Sequence, residues 1–414
     1  MKKVGKPEIT DIIGGYIYEW KAEQVQIQVD HIKSHTDGSV TGEITVTSLN
    51  PVGGGLLHRA GLNFSADRTR VSLANKLNKR VPLDWDAVIE QLCFNTLEKV
   101  RSGEPVQELW SGEEAKPPDY LLHPIIIRNY PTVIFGDPGS TKSNLAVILA
   151  QILLLPWKDN PLGLTAPDRS IKTLFLDWET DAETIRWQLT RLQRGMGLGP
   201  IALNYRRCSL PLAQDVEQVR QHIVSTEAEL IIIDSLGLAC GGELKEAQPA
   251  LAFFTALRQL KATSLTLAHT AKNNMEGPRN KSIYGSVFFE AQSRSVWEAR
   301  KVGEAGDDEI DVALFHRKAP PFGKLQTTIG MKIEFGPDTM KVSKQDATSV
   351  KEFVSNMGAS AQIKDVLKHG AMTAVDIAQE TGLSKGTVDG TLARMKAKQQ
   401  AVKTEGFKWG LVIG

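Results

Sequence analysis

The chain has 414 residues, of which 41% are hydrophobic and 23% charged, and its formal net charge is +1. That length supports two or three domains with real cores. The balance excludes a disordered chain, and it confines any nucleic-acid surface to a local patch. Cys93, Cys208 and Cys240 form no CxxC pair, which argues against a disulfide framework or a thiolate zinc site and for a reducing compartment.

The N-terminal MKKVGKPEITD is basic but lacks the apolar run of a signal peptide. The most apolar run, Leu145–Pro156, is too short to span a bilayer. The expectation is a cytoplasmic protein without membrane contact.

Residues 1–115 read as an α+β accessory domain. Gln24–Ile32 and Gly42–Leu49 alternate apolar and polar residues as half-buried strands, with Thr36-Asp37-Gly38 turning between them. Pro51–Gly55 is a turn cluster. Val71–Lys79 and Asp84–Arg101 carry helical spacing. His31, His35 and His58 share no metal-ligand spacing and read as surface or hairpin histidines. Ser102–Asp119, with Gly103, Gly112 and three prolines, is a linker.

Residues 116–345 change character. Apolar strands at Thr132–Phe135, Lys172–Asp177, Leu230–Asp234 and Ser264–Ala268 alternate with helices at Ser143–Leu155, Ala182–Gly195, Asp215–Thr226 and Pro249–Lys261. This predicts an α/β fold, a parallel sheet covered on both faces with its ligand at the carboxyl ends of the strands. Arg294–Ala299, Glu309–His316 and Thr328–Phe335 extend it, in an antiparallel sense. Pro337 to about Lys351 reads as a polar hinge.

The first strand runs into Gly136-Asp137-Pro138-Gly139-Ser140-Thr141-Lys142-Ser143, followed by Asn144 and the apolar helix. Strand, glycine-rich turn and helix in this order bind the phosphates of a nucleotide. Backbone N–H groups cradle the phosphates, Lys142 reaches the β/γ oxygens, and Ser143 holds Mg²⁺. Thr141 stands where the pattern has glycine, at a position that can require a backbone conformation suited to glycine. Asp177 and Glu179 follow the second strand; of the two, Glu179, with its longer reach, is the candidate base for the attacking water, the alternative being a helix N-cap carboxylate, a role Asp177 or Asp181 also fits. Asp234 ends the third strand, where it can hold Mg²⁺ through its water shell. His269 ends the fourth, placed to sense a γ-phosphate and signal to the basic loop Asn273–Lys281.

The ordered set GDPGSTKS, LFLDWET, LIIIDS, LTLAHTAK, GSVFFEAQSRSVWEAR and ALFHRKAPPFGK resembles the RecA-like ATPases over roughly 120–335. Within them it is most similar to plasmid- and phage-type hexameric replicative helicases. The resemblance implies ATP and Mg²⁺ as cofactors, Glu179 as catalytic base, Asp234 as the Walker B aspartate and His269 as the post-strand histidine. It also implies a cation supplied across a subunit boundary, for which Arg317 and Lys318 are candidates and Arg294 a third. Pro320-Pro321 replaces the family's Asn-Gly in the turn that follows, so the resemblance does not choose among them.

Residues 346–414 have the spacing of a helix-turn-helix: Ala378 at the helix contact, Gly382 in the turn, Ser384 as cap and Val388, Leu392 and Met395 on the packed face. Lys385, Thr387, Thr391, Arg394, Lys396 and Lys398 are left for a major groove, and Val402–Val412, with Lys403 and Lys408, closes as a wing. From Gly382 onward six Lys/Arg face two acids, Asp389 and Glu405. The segment resembles winged-helix DNA-binding domains, a fold that also docks proteins.

The expectation is an ATP-hydrolysing homo-oligomer, a hexamer, acting as a DNA helicase or translocase in replication of a plasmid, phage or other mobile element. Duplex would sit on the winged helix and a single strand in the ring. The competing expectations are a DNA-binding ATPase that loads or remodels without unwinding, and a nucleotide switch with a docking winged helix.

Overall fold

In the computed structural model, which describes residues 4–412 apart from 13, 53, 104–105, 110–118, 271–281 and 305, the chain divides into two units. One comprises residues 1–116 and 217–224, the other residues 117–216 and 225–414.

In the first unit, β1 (Glu8–Ile12), β2 (Gly15–Trp20), β3 (Val25–Ser34), β4 (Val40–Ser48) and β5 (Gly55–Asn63) form an antiparallel sheet in chain order. The period-two pattern of β3 buries Val25, Ile27 and Val29, and the register pairs Ile27↔Val46 and Val29↔Ile44 align the apolar residues of β4 on the same face. Helices α1 (Asp67–Asn78) and α2 (Trp85–Ser102) add Leu73, Leu77, Trp85, Val88 and Leu92 to that core. The Asp84 carboxylate starts α2 by accepting the Ala87 N–H. The predicted hairpin is present, its turn held by the Gly38 N–H donating to the His35 carbonyl at 3.0 Å. Sequence patterning marked no strand at β1, β2 or β5. β1 and β5 are the sheet's edge strands, and their burial follows no clean alternation.

The second unit opens with the short pair β6 (Tyr120–Leu122) and β7 (Ile126–Ile127). Then follow β8 (Pro131–Gly136), α3 (Lys142–Leu154), β9 (Thr173–Asp177), α4 (Ala182–Met196), β10 (Asn204–Arg207), α5 (Leu212–Thr226), β11 (Leu230–Asp234), α6 (Leu236–Cys240), α7 (Ala247–Leu260) and β12 (Thr263–His269). The chain continues through α8 (Phe288–Gln292), β13 (Ser295–Val302), β14 (Glu309–Lys318), β15 (Ile329–Phe335) and β16 (Met340–Gln345). Nine strands form one sheet in the order β10-β9-β11-β12-β8-β13-β14-β15-β16. The pairings from β10 through β13 are parallel, and β13–β14, β14–β15 and β15–β16 are antiparallel. The expected antiparallel extension therefore begins one strand later, because β13 pairs with β8 in parallel. Helix α3 is buried almost all round, and its Leu145, Ile148, Leu149 and Ile152 share a core with Ile232, Leu265 and Trp297 of the strands.

The polar hinge expected from Pro337 to Lys351 is corrected by the structure. Met340 and Val342 point inward and Lys341, Ser343 and Lys344 outward, giving β16 as a charged edge strand paired to β15. Its lysines made a half-buried strand read as a loop, and such lysines also protect an open edge.

The C-terminal segment holds α9 (Lys351–Val354), α10 (Ala359–Lys368), β17 (Met372–Thr373), α11 (Ala374–Thr381), α12 (Lys385–Ala397), β18 (Ala401–Lys403) and β19 (Lys408–Leu411). The last strands form a sheet in the order β17-β19-β18. Ile363, Leu367, Ile377, Val388, Leu392 and Met395 give it a core of its own. The Ser384 hydroxyl caps α12 by accepting the Thr387 N–H at 3.2 Å. Phe353 of α9 meets Phe315 of β14 edge to face, with centroids 6.2 Å apart. One expectation fails here: Thr391 is buried, not exposed for a groove. It lies three residues after Val388 and four before Met395, on the packed stripe of α12.

Candidate active site

Register places the candidate residues on one edge of the parallel sheet. Asp234 at the end of β11 stands opposite Asp177 at the end of β9, and His269 at the end of β12 stands opposite Gly136 at the end of β8. The phosphate turn leaves β8 there. Gly139 has φ +75°. Thr141 is left-handed, with φ 67° and ψ 21°, a conformation that costs a residue with a side chain about 1–2 kcal/mol.

Lys142 is buried and its ammonium donates to the Gly136 carbonyl at 3.0 Å and the Asp137 carbonyl at 2.9 Å. Burial pulls its pKa down, against the charges of Asp234, Glu179 and Asp137. Ser143 donates its hydroxyl to Asp234 Oδ2 at 2.7 Å, across 91 residues of sequence. Asp234 is itself buried, and burial raises its pKa to about 6; the Glu179 and Asp177 charges raise it further, while the Ser143 hydrogen bond and Lys142 oppose.

The two carboxylates after β9 divide their work. Asp177 is fully buried. Its Oδ1 accepts the N–H groups of Glu179 and Thr180 at 2.8 and 2.9 Å, and its Oδ2 accepts the hydroxyls of Thr180 and Tyr205 at 2.7 and 2.9 Å. It builds the turn that projects Glu179. Asp181 caps α4 by accepting the Thr184 N–H. Glu179 is only part-buried; its Oε1 accepts the Ser235 hydroxyl and lies 3.5 Å from His269 Nε2. The His269 imidazole holds the Glu179 carboxyl below its ordinary range, against the opposing effect of burial.

These groups line a cavity of about 410 Å³. Gly139, Thr141, Lys142, Ser143, Asn144, Glu179, Asp234 and His269 line it together with Lys301, Glu304, Gly306, Asp307, Ile310 and Phe335. The oxygen donors of Ser143 and Asp234 beside the Lys142 ammonium fit a hard divalent cation carrying phosphates. The bare backbone of Gly136 fits as well, since an added Cβ would meet Ala299 O and Ser140 Oγ at 2.5 Å each.

Arg317, Lys318 and Arg294 do not line the cavity. Both cations of the Arg317-Lys318 pair are engaged within the chain. Arg317 Nε donates to Glu298 Oε2 of the adjacent strand at 2.7 Å, and Arg300 Nε holds the other carboxylate oxygen at 2.6 Å. Lys318 donates to the carbonyls of Glu290 and Ala291 at 2.6 and 2.9 Å. The cross-strand partner Glu298 is nineteen residues away, beyond any local motif. The loop Asn273–Lys281 lies outside the described residues.

Sequence reasoning did not single out Ser235, or the hairpin residues Lys301, Glu304 and Asp307. Ser235 directly follows the strand-end Asp234, and Gly303 and Gly306 mark the hairpin; both were visible signals.

Residues 96–275 match the family model described as AAA domain. The match supports a P-loop ATPase domain. Among solved structures, the KaiC-like protein PH0186 from the hyperthermophilic archaeon Pyrococcus horikoshii OT3 is similar at 16% identity, over 57% of this chain and 99% of that one, with a TM-score of 0.35. No curated protein matches the chain.

On the C-terminal segment, Lys385 pairs with Asp389 at 2.7 Å and Arg394 Nη2 donates to Thr391 Oγ1 at 3.1 Å. Lys403 lies over the Phe407 ring at 4.8 Å. Thr387, Lys396, Lys398, Lys403 and Lys408 are exposed.

Proposed function

We propose that this chain is a Mg²⁺-dependent ATPase whose RecA-like core drives an oligomeric, hexameric DNA helicase or translocase in the cytoplasm. The observation that carries the reading is the convergence of Lys142, Ser143, Asp234 and Glu179 at adjoining strand ends. Lys142 would orient the β/γ oxygens, and Ser143, with Asp234 through the ion's water shell, would hold Mg²⁺. A bound Mg²⁺ supplies charge neutralisation on the transferring phosphoryl group. Glu179, aimed by Ser235 and His269, orients the attacking water and takes its proton.

The division into 1–115, 116–345 and 346–414 assigns an accessory, a motor and a winged-helix domain. The helix order, the Ser384 cap and the separate core of the last segment support that winged helix. Its exposed lysines suit phosphates of duplex DNA, and Thr391, being buried, is withdrawn from the DNA-facing residues. Arg317 and Lys318, outside their own cavity, suit a cation given to a neighbouring subunit's nucleotide. The activity is tested by ATP hydrolysis with and without DNA, followed by strand displacement on a forked duplex.

A second reading has one observation in its favour. Val402, Phe407 and Val412 of the wing are exposed, Phe407 at 77%, which suits a protein partner. ATPase indifferent to DNA, with a protein captured through 346–414, would select the nucleotide switch.

A further inference from the structure

The N-terminal sheet carries a cluster that the nucleotide chemistry does not use. Asp30 on β3 and Glu43 on β4 are direct register partners, so their carboxylates face each other on one side of the sheet. Like charges placed opposite across strands are destabilising. Directly after Asp30 the register shifts, with His31 and Ile32 inserted before Lys33 pairs with Thr41. His31 takes φ +50° at this bulge, an uncommon conformation for a residue with a side chain. Its Nε2 then lies 3.9 Å from Asp30 Oδ1 and 3.8 Å from Glu43 Oε2. The three ligand atoms lie within 4.8 Å of one another.

Each carboxylate is already oriented from behind. Gln28 Nε2 donates to Asp30 Oδ2 at 3.0 Å, and Arg59 Nε donates to Glu43 Oε1 at 2.6 Å. The oxygens left over are those that face His31. Asp30 Oδ1 is sequestered from solvent and has no hydrogen-bond partner among the described residues, the imidazole being too distant to donate. A buried carboxylate oxygen without a partner calls for one. Donors that fix the outer oxygen of each ligand and leave the inner one open are the arrangement found behind bound metals.

We propose that Asp30, His31 and Glu43 bind one divalent transition-metal ion of the Zn²⁺ class at the β3 bulge. One imidazole and two carboxylates suit borderline cations such as Zn²⁺, while the imidazole disfavours Mg²⁺ and Ca²⁺. Metal–ligand distances of about 2.0–2.2 Å draw the three atoms together by modest side-chain rotation and leave a coordination position for water. The three histidines share no ligand spacing in sequence because the site takes only one of them, and Glu43 reaches it across the strand register.

The test is calorimetric titration of Zn²⁺ into tag-free full-length protein in a non-chelating buffer, with Mg²⁺ present. Wild type binds one equivalent that His31→Ala loses and that Glu43→Gln and Asp30→Asn weaken at least about tenfold. Lys142→Ala, in the other unit, retains that equivalent. Zn²⁺ also raises the thermal midpoint of wild type and not of His31→Ala. If His31→Ala fails to fold, the two carboxylate variants carry the comparison. Equal Zn²⁺ binding by wild type and all three variants overturns the proposal. So does no binding by wild type.

Discussion

The Ser143 hydroxyl donates to Asp234 Oδ2 over 2.7 Å, tying the first turn of α3 to the end of β11. This hydrogen bond joins the phosphate turn to a carboxylate that burial holds partly protonated near neutrality, with a pKa of about 6. Keeping that group ionised above pH 6 costs stability. A shift of about two units from the ordinary value corresponds to about 3 kcal/mol. Since the folded pKa is raised, the stabilising effect of the protonated form is present below pH 4 and lost as pH rises toward 6. Asp234→Asn is therefore expected to abolish Mg²⁺-dependent turnover while unfolding in more urea than wild type at pH 8. The two should converge near pH 4, read from denaturant midpoints at each pH.

His316 titrates with the opposite sign. Its Nδ1 accepts the Gln326 N–H at 3.0 Å, its Nε2 meets Ser295 Oγ at 3.1 Å, and its ring stacks on Trp297 with centroids 4.2 Å apart. Burial lowers its pKa to about 4. The stability held by the neutral ring is present above its unfolded pKa and lost as pH falls from about 6.5 to 4, on the order of 3 kcal/mol. Over that window the His316 and Asp234 effects oppose one another. In an Asp234→Asn background, wild-type His316 should show an acid loss that a further His316→Phe change removes from the stability–pH curve.

Arg317 has a structural duty that complicates any test of a trans cation. Arg317→Ala leaves the buried Glu298 carboxylate with Arg300 alone, at a cost of about 2–3 kcal/mol. Its melting curve should shift down, whereas Lys318→Ala, which frees only two carbonyls, should shift less. If either cation acts across subunits, mixing that variant with Glu179→Gln protein restores hydrolysis at mixed interfaces. A mixture no more active than its components places the cation elsewhere.

Much of this site was legible because its elements are local. The turn 136–143, the strand-end Asp234 and the Asp177–Glu179 run each lie within a few residues of an apolar strand. The parallel strands read well since both faces are buried. What escaped depends on pairing between distant residues. Glu298 reaches Arg317 only through the β13–β14 register, Asp30 meets Glu43 only through β3–β4, and β16 hid its Met340 and Val342 among lysines. Thr391 was misread because a threonine looks polar wherever it stands, while helical spacing put it inside.

The wing and α12 make a separable prediction in the full-length protein. Lys396→Glu, Lys403→Glu and Lys408→Glu should weaken duplex DNA binding without regard to sequence. The slope of log affinity against log salt should flatten by about one unit for each phosphate no longer neutralised. Lys385, held by Asp389, should alter sequence preference more than overall affinity. Fluorescence anisotropy over a salt series reads both.

The central claim is hydrolysis at this site with Glu179 as base, and single-turnover ATP hydrolysis by wild type and Glu179→Gln at saturating nucleotide tests it most directly. The amide keeps the side chain's size but neither accepts a proton nor carries charge. Glu179→Gln should bind a fluorescent ATP analogue about as well as wild type and hydrolyse ATP about 10²–10⁴-fold more slowly. Hydrolysis by Glu179→Gln at the wild-type rate, or a wild type that binds ATP with Mg²⁺ and never turns it over, would contradict the account.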